Sequence, residues 1–276
     1  MRTILITGCS SGIGKSCADN LLREGWDVHA TARNTDDIEV LQEMGVKAYY
    51  LDYCEFDSIH RTFDAVIENT GGKLDALFNN GAYGQPGAVE DLTTDVLRAQ
   101  FEANFFGWHE LTNLCVPIMR KQGHGRIVHC SSVLGWIAAP YRGAYNASKF
   151  ALEGLVSTMR LELRDTDIHV SLIEPGPIKT RFSENALQNF LENVDWENSV
   201  NKPAYEKELL RLKKQKSNSV GKFTLPPESV YKKLDHALNA KKPKAHYPVT
   251  VPTHFMNIVR RVLPQSMVDS IILKNT

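Results

Sequence analysis

The sequence lacks the features of a secreted, membrane-spanning or nucleic-acid-binding protein. Its five cysteines are an odd number without a Cys-x-x-Cys pair, which disfavours a disulfide framework and a zinc site. No apolar run approaches the ~20 residues that span a bilayer, and the N-terminus does not resemble a signal peptide. The 32 basic residues equal the 32 acidic ones, so no nucleic-acid partner is expected. We expect a cytoplasmic protein with reduced thiols and no metal.

Short apolar runs alternate with longer helical patterns. Strands are predicted at 3–7, 27–32, 46–51, 74–78, 126–130 and 168–173, with a short one near 245–247. Helices are predicted at 13–24, 36–44, 57–69, 144–164 and 228–240, with two more over 95–122 that kink or break at Pro117. This order predicts an α/β fold, a Rossmann-type, doubly wound parallel sheet between two helical layers. Strands that are apolar throughout fit burial on both faces.

Beyond Pro175 the alternation stops. The length allows two domains, but no linker is visible, so residues 1–276 are predicted to form one domain. Residues 181–225 are interpreted as an inserted substrate flap, with an apolar stripe that either packs into the core or walls a pocket: Leu187, Phe190, Leu191 and Val194. The tail, residues 248–276, could cover the pocket, form a subunit interface or touch a membrane surface.

A glycine loop follows the first strand and opens the first helix. In Thr7–Gly14 the glycines at 8, 12 and 14 lack the Cβ atoms that would obstruct a pyrophosphate. The helix N-terminus offers free N–H groups and a positive dipole end. The alternative is a tight strand-to-helix connection without a ligand.

Charged residues follow the next two strands. Ala32 stands where an acid would bind a free ribose 2′-hydroxyl, and Arg33 follows it. A guanidinium can grip a 2′-phosphate with two parallel hydrogen bonds, which predicts NADP(H); the alternative is a solvated surface arginine. Asp52 either lies beside the adenine or caps the next helix.

Tyr145 and Lys149 have i, i+4 spacing on a predicted helix, which places both on one face. A nearby ammonium lowers the pKa of a phenol and suits it to acid/base work near neutral pH. Lys149 can also bind ribose hydroxyls. The pair alone is weak evidence, because such spacings arise by chance.

Polar residues near strand ends complete the candidate site. Ser132 follows the fifth strand, where a hydroxyl can polarise a substrate carbonyl, and Ser131 competes for this role. Since adjacent strand residues point to opposite faces, only one should face the site. Asn104 lies in an apolar helix, where it could satisfy a backbone break or hold a water near Lys149.

These motifs, in this order over about residues 3–180, resemble the short-chain dehydrogenase/reductase family. The resemblance implies a sheet of about seven strands, a metal-free catalytic set of Asn104, Ser132, Tyr145 and Lys149, and NADP(H) as cofactor. The implied cofactor-binding residues are Gly8, Ser10, Ser11, Gly12, Ile13, Gly14, Arg33, Asp52, Asn80, Tyr145, Lys149, Pro175, Gly176, Ile178 and Thr180. Backbone groups near Ile178 and the Thr180 hydroxyl would hold the nicotinamide carboxamide.

Within the family, segments around 173–182 and 247–250 are similar to bacterial NADP-dependent aldehyde reductases and to the hydroxysteroid and retinol dehydrogenase branch. The sequence departs from the family at Gly81-Ala82, where Ala-Gly is usual, and at Ser11, where a basic residue would support NADP binding. The first departure concerns the backbone path under the adenine ribose. The second leaves Arg33 to discriminate cofactors largely alone.

The predicted function is reduction of an apolar aldehyde or ketone, or the reverse oxidation. Apolar residues beside the catalytic groups suggest a small apolar substrate: Val133, Leu134, Trp136, Ile137, Tyr141, Phe182 and Trp196. The alternatives are a steroid or retinol enzyme docked at a membrane surface, and a non-catalytic NADP-sensing regulator. The resemblance implies a homo-oligomer, a dimer or tetramer, and membrane contact is not expected.

Overall fold

A seven-stranded parallel sheet forms the centre of the molecule in the computed structural model, which describes residues 1–216, 221 and 223–274. The strand order is β3-β2-β1-β4-β5-β6-β7. The strands are β1 (Thr3–Ile6), β2 (Asp27–Ala32), β3 (Lys47–Tyr50), β4 (Ala76–Asn79), β5 (Gly125–Cys130), β6 (Ile168–Glu174) and β7 (His246–Pro248). The doubly wound α/β fold is therefore confirmed.

The helices are α1 (Gly12–Arg23), α2 (Thr35–Glu43), α3 (Phe56–Asn69), α4 (Thr94–Phe101), α5 (Gly107–Gln122), α6 (Gly143–Glu162), α7 (Phe182–Asn193), α8 (Lys202–Lys216), α9 (Glu228–Asn239), α10 (Val251–Val262) and α11 (Gln265–Lys274). Helix α1 packs against α9, α3 against α5, and α4 against α6. Strands β1 and β4 are buried throughout, and β6 is buried at every position except His169, because side chains on both sheet faces meet a helix. Over the described residues, no helix is both long and apolar enough to cross a bilayer.

The interruption between α4 and α5 is not where the sequence predicted it. A π-helical segment, Glu102–Phe106, separates the two helices, whereas Pro117 lies inside α5. The proline removes one backbone N–H, but the flanking Leu111, Cys115 and Met119 are buried and keep α5 packed. The π segment instead presents Asn104 inward, as described below.

The flap segment and the tail each build a small apolar core. Leu187, Phe190 and Val194 pack with Tyr205 and Leu209 of α8. The predicted flap also includes residues 217–220 and 222, which lie outside the described residues, as do residues 275 and 276 of the predicted tail. In the tail, Met256 and Val259 of α10 and Val268 of α11 pack against Trp136.

Candidate active site

The candidate site lies at the carboxyl ends of the strands. From β1 the chain moves outward to β2 and β3, then returns to pair β4 with the other side of β1. Ligands of open α/β sheets bind where the strand order reverses in this way. The glycine loop after β1, Arg33 after β2, Asn80 after β4 and Ser132 after β5 all follow strands that end at this edge.

The glycine loop is tightly fitted to its neighbours. Gly8 has a φ of +67°, and a Cβ there would lie 2.4 Å from the Cα of Gly81. At Gly14 a Cβ would lie 2.3 Å from the carbonyl oxygen of Gly8. The protein itself therefore requires glycine at both positions, in addition to any need of a bound phosphate.

The start of α1 faces the segment that follows β6. Gly12 has a φ of +57°, and a Cβ there would lie 2.8 Å from Cγ2 of Thr180. Ser11 is the N-cap of α1 but makes no side-chain capping bond, and the first turn contains no acidic residue. The carbonyl of Ser10 accepts a 3.5 Å hydrogen bond from Arg181. The glycine loop and Thr180 thus meet.

Three other predicted cofactor residues lie along the β6 side of this cleft. The carbonyl of Pro175 accepts a 2.9 Å hydrogen bond from the N–H of Val133, beside Ser132. At Gly176, a Cβ would lie 2.2 Å from Oγ1 of Thr250, so the tail contacts this turn. Ile178 forms an isolated parallel bridge with Leu225.

The Gly81-Ala82 departure has a structural explanation. Thr7 Oγ1 accepts hydrogen bonds from the N–H groups of Asn80 and Gly81, at 2.9 Å and 3.2 Å. Asn80 Nδ2 donates to the carbonyls of Thr7 and Gly8 at 3.0 Å and 3.2 Å. A Cβ at Gly81 would lie 3.3 Å from Gly8, so a glycine at 81 lets the two loops meet. The loop after β4 is thereby joined to the glycine loop.

Arg33 and Asp52 form an ion pair, with Nη1 and Oδ2 separated by 3.5 Å. The Arg33 side chain is 67% exposed, so its guanidinium remains accessible to a ligand. Asp52 does not cap α3, since that helix begins at Phe56 with Glu55 as its N-cap. Its Oδ1 accepts instead from the N–H of Cys54, at 2.9 Å. The capping alternative for Asp52 is therefore wrong.

Tyr145 and Ser132 lie together at the end of β5. Tyr145 is 8% exposed, and burial raises the pKa of its phenol well above the usual value, while the neighbouring Ser132 hydroxyl opposes that shift. The sequence-based expectation that Lys149 lowers this pKa is not met in this arrangement. The lysine Nζ lies 5.8 Å from the centroid of the tyrosine ring and bonds elsewhere, so desolvation dominates.

The choice between the two serines is settled by their surroundings. Ser132 Oγ accepts the N–H of Leu134 at 3.1 Å on the Tyr145 side. The Ser131 hydroxyl is buried without a hydrogen-bond partner on the side of Gly135 and Glu153. Ser132 is therefore the serine that faces Tyr145.

Lys149 is 1% exposed, and its Nζ donates to the carbonyl of Cys130 at 2.9 Å. The same Nζ lies 4.0 Å from the centroid of the Trp108 ring. Burial lowers the pKa of Lys149 to about 8, against the opposing influence of Cys130 and Glu153. Trp108 was not among the predicted site residues, although a tryptophan four residues after Asn104 could have signalled the contact.

Asn104 connects the π segment to the loop after β4. Its Oδ1 accepts the N–H of Tyr83 at 3.2 Å, and its Nδ2 donates to the Tyr83 carbonyl at 2.8 Å. A longer contact of 3.4 Å reaches Ser148 Oγ, next to Lys149. Asn104 is fully buried, so of the two predicted roles the structure shows the backbone one.

Aromatic and apolar side chains surround the polar groups. Phe182, the first residue of α7, packs edge-on against Tyr145 with ring centroids 5.4 Å apart. Gly84 makes room for it, since a Cβ there would lie 2.8 Å from the Phe182 ring. The predicted flap stripe divides: Leu187, Phe190 and Val194 are core, and Leu191 is 47% exposed. Most of the stripe therefore packs into a core shared with α8.

The residues present fit a dinucleotide. Glycines at 8, 12 and 14 keep Cβ atoms out of the loop and the first turn of α1. This helix N-terminus has neither a side-chain cap nor an acidic residue in its first turn, so its N–H groups suit a phosphate. Arg33 follows β2, the strand next to β1. Ser132, Tyr145 and Lys149 lie at the same edge of the sheet, on the other side of β1. This fold and site define an oxidoreductase that uses a nicotinamide dinucleotide.

Comparison with known proteins establishes the family. The model of the short chain dehydrogenase family matches residues 2–190, and the chain belongs to that family. It is 41% identical to the uncharacterized oxidoreductase YbbO of Escherichia coli, over 98% of this chain and 94% of that protein. It is 29% identical to an NADPH-dependent 3-dehydrocapnine reductase of Ornithobacterium rhinotracheale, over 100% and 97% of the two chains. A solved short-chain dehydrogenase from Streptomyces avermitilis superposes with a TM-score of 0.76 at 27% identity, over 94% and 93%.

Proposed function

We propose that the protein is an NADP(H)-dependent reductase that converts an apolar aldehyde or ketone to the alcohol, or catalyses the reverse reaction. The observation that carries the proposal is the meeting of Ser132, Tyr145 and Lys149 at the edge where Thr180 covers the glycine loop. NADPH, when bound, supplies the hydride.

The side chains of the site have separate roles in the proposed reaction. Ser132 Oγ holds the substrate carbonyl oxygen, and the Tyr145 hydroxyl donates the proton that this oxygen needs as the alcohol forms. In the resting protein burial, and not Lys149, dominates the pKa of the phenol. Once the proton has left, the positive charge of Lys149 helps to stabilise the phenolate, and we assign the same residue to the ribose hydroxyls. Phe182 against the Tyr145 ring helps to keep water from the reacting oxygen.

Tyr145→Phe tests this assignment. The ring still packs against Phe182, while the transferable proton is lost. We expect turnover to fall by about 10²–10⁴-fold with cofactor affinity nearly unchanged, measured by NADPH absorbance and by a binding titration. Lys149→Ala should impair both quantities. Near-normal turnover of Tyr145→Phe would refute the acid/base role, and a wild-type protein that binds NADPH but reduces no carbonyl would favour the NADP-sensing regulator.

The preference for NADP(H) rests on Arg33, the exposed cation at the end of β2, and is supported by the relative named for its NADPH dependence. Arg33→Asp should weaken NADPH binding by one to two orders of magnitude, since a charge-assisted bond contributes about 1.5–3 kcal/mol. Arg164→Asp, at an equally exposed arginine, is the control. Equal affinity of the wild type for NADH and NADPH would show that Arg33 does not bind the 2′-phosphate and is only a surface residue.

The apolar substrate is supported by the residues around the catalytic pair. Val133, Trp136 and Ile137 continue from Ser132 into an apolar cluster with the tail, and Phe182 lies on Tyr145. Each buried methylene contributes about 0.8 kcal/mol, so kcat/KM should rise along a series of straight-chain aldehydes until the pocket is filled. A flat series, or a hydroxylated sugar aldehyde that reacts best, would contradict this substrate class.

We further propose a cytoplasmic homo-oligomer. All five cysteines are unpaired, as in a reducing compartment. Helix α10 exposes an apolar stripe of Val251, Phe255, Ile258 and Val262, each more than half exposed, which suits a subunit interface. Sedimentation of wild type and Phe255→Asp tests it, because the variant should lose mass. A monomeric wild type that floats with anionic vesicles would instead favour the membrane-docked steroid or retinol enzyme.

A further inference from the structure

Three titratable side chains meet behind the Tyr145–Lys149 pair: Glu153 of α6, Glu174 of β6 and His246 of β7. Their nearest oxygen and nitrogen atoms all lie within 4.8 Å of one another. His246 Nδ1 is 2.6 Å from Glu174 Oε1 and 3.8 Å from Glu153 Oε2. The side chains of Glu174 and Glu153 are only 3% and 13% exposed. A single imidazole therefore lies beside two largely buried carboxyl groups and is their shared cationic neighbour when it is protonated.

The cluster is joined to the site through α6 and the end of β5. Tyr145, Lys149 and Glu153 follow one another at i, i+4 and i+8 on one face of α6. At the end of β5, the Cys130 carbonyl holds Lys149, while the Ser131 hydroxyl lies on the Glu153 side. Ser131 Oγ and Glu153 Oε1 are both buried without hydrogen-bond partners.

Ser131 Oγ and Glu153 Oε1 both lie against Gly135, which has no side chain to separate them. A Cβ at this position would lie 2.6 Å from Ser131 Oγ and 3.1 Å from Glu153 Oε1. The strand end that carries the catalytic Ser132 is thus flanked by an acidic side chain whose oxygen faces it. No part of the proposed mechanism uses this carboxyl group.

The charges in this region are interdependent. Over the described residues, no carboxylate lies within 4.0 Å of the buried Lys149 Nζ. Burial lowers the pKa of Lys149, and Cys130 and then Glu153 raise it, so Glu153 is the carboxyl group that acts on this lysine. Burial, and then Glu174, raise the pKa of Glu153 to about 7, which Ser131, His246 and Arg260 oppose. The hydrogen bond to Glu174 raises the pKa of His246, and burial and then Arg160 oppose that shift.

We propose that Glu153 is a positioning residue that acts through Lys149: its carboxylate, shared with Glu174 and His246, holds the lysine in its charged form. The role in turnover rests on the proposed function, because it matters only if Lys149 assists Tyr145. The charge coupling itself is independent of any reaction. As the pH rises through the range in which Glu153 ionises, the new anion resists loss of the Lys149 proton.

The coupling can be measured in the protein without turnover. Lysine labelled with ¹³C at Cε reports each ammonium titration by NMR, and Lys149→Arg assigns the resonance. In Glu153→Gln the midpoint of Lys149 should fall by at least ~0.5 pH unit, because a buried anion nearby is lost. Glu153→Asp should recover part of the fall. Glu162→Gln, at an exposed acid of the same helix, should leave the midpoint unchanged.

His246→Gln provides a second variant if Glu153→Gln fails to fold, since His246 is the most exposed member of the cluster. Without the imidazolium, Glu153 remains protonated to higher pH, so the Lys149 midpoint should again fall. A folded variant of either kind with an unchanged Lys149 midpoint overturns the proposal.

Turnover then tests the positioning role separately. In Glu153→Gln the alkaline limb of the pH profile of kcat/KM for carbonyl reduction should move down with the lysine midpoint. A uniform loss of kcat at every pH, with no movement of the limb, would mean that Glu153 is merely structural and would refute the role. If the wild type reduces no carbonyl, the proposed function fails, while the NMR result still decides the charge coupling.

Discussion

Asn104→Ala should separate structural support from chemistry at this site. Asn104 holds both polar groups of the Tyr83 peptide, at 3.2 Å and 2.8 Å, from inside the π segment. The alanine variant removes both bonds. The Tyr83 carbonyl keeps a 3.0 Å bond from Gln100 Nε2, but no other bond to the Tyr83 N–H is present in the described structure.

The magnitude follows from this imbalance. An unpaired N–H in this partly buried position costs about 1–3 kcal/mol, and the lost bond to the carbonyl and the small cavity add about 1 kcal/mol. We therefore expect a loss of about 2–4 kcal/mol in the free energy of unfolding. For a chain of this size each kcal/mol lowers Tm by about 2–4 °C. Because Gly84 seats Phe182 against Tyr145, loosening residue 83 should also reduce turnover.

Urea unfolding followed by circular dichroism measures the stability change, with Asn113→Ala as the control. Asn113 lies on α5 with an exposed side-chain contact to His109, so its replacement should cost less than about 0.5 kcal/mol. A loss of less than about 0.5 kcal/mol in Asn104→Ala would refute the argument from the Tyr83 peptide. Unchanged stability with abolished turnover would favour the water-holding role near Lys149.

The remaining predictions concern packing, pH and thiols. Gly14→Ala should prevent stable folding or cost at least ~3 kcal/mol, because its Cβ would lie 2.3 Å from the Gly8 carbonyl. Gly154→Ala, in open space on α6, should stabilise by about 0.5–1 kcal/mol; urea titration compares the two, and equal effects would contradict the contact. Glu174 raises the pKa of His246 above 6.5. The ion pair between the two side chains therefore stabilises the protein below pH 6.5, and this stabilisation is lost as the pH rises through the pKa of His246 in the folded protein. His246→Gln should therefore destabilise more at pH 6 than at pH 9, and the opposite trend would refute the ion pair. In the native protein Cys54 should be the thiol that reacts with a maleimide, because the other four are buried; rapid modification of a second thiol would show that the core opens.

The sequence was informative wherever a local pattern carries the physics. The predicted strands and helices agree with the structure to within a few residues, because apolar runs and helical periodicity report burial directly, whereas α8, α10 and α11 were not predicted. The glycine loop and the Tyr145–Lys149 spacing could be recognised for the same reason. A φ above zero at Gly8 and Gly12, or an i, i+4 pair, depends on few residues.

Contacts between distant segments decided the rest. The helical region over 95–122 is interrupted at Glu102–Phe106 and not at Pro117. In that segment Asn104 bonds to Tyr83, a partner that no helical pattern could indicate. Asp52 pairs with Arg33 across neighbouring strand ends and does not cap a helix. Most of the flap stripe became core once α8 packed against it.

What the sequence determined by itself is the fold, the family resemblance and the identity of the polar groups at the sheet edge. Only the tertiary structure decided that Ser132 and not Ser131 faces Tyr145, and that burial outweighs Lys149 in setting the pKa of that phenol. It also brought Glu153, Glu174 and His246 together from three separate elements. Desolvation and side-chain direction depend on everything packed around a group, and local spacing does not contain that information.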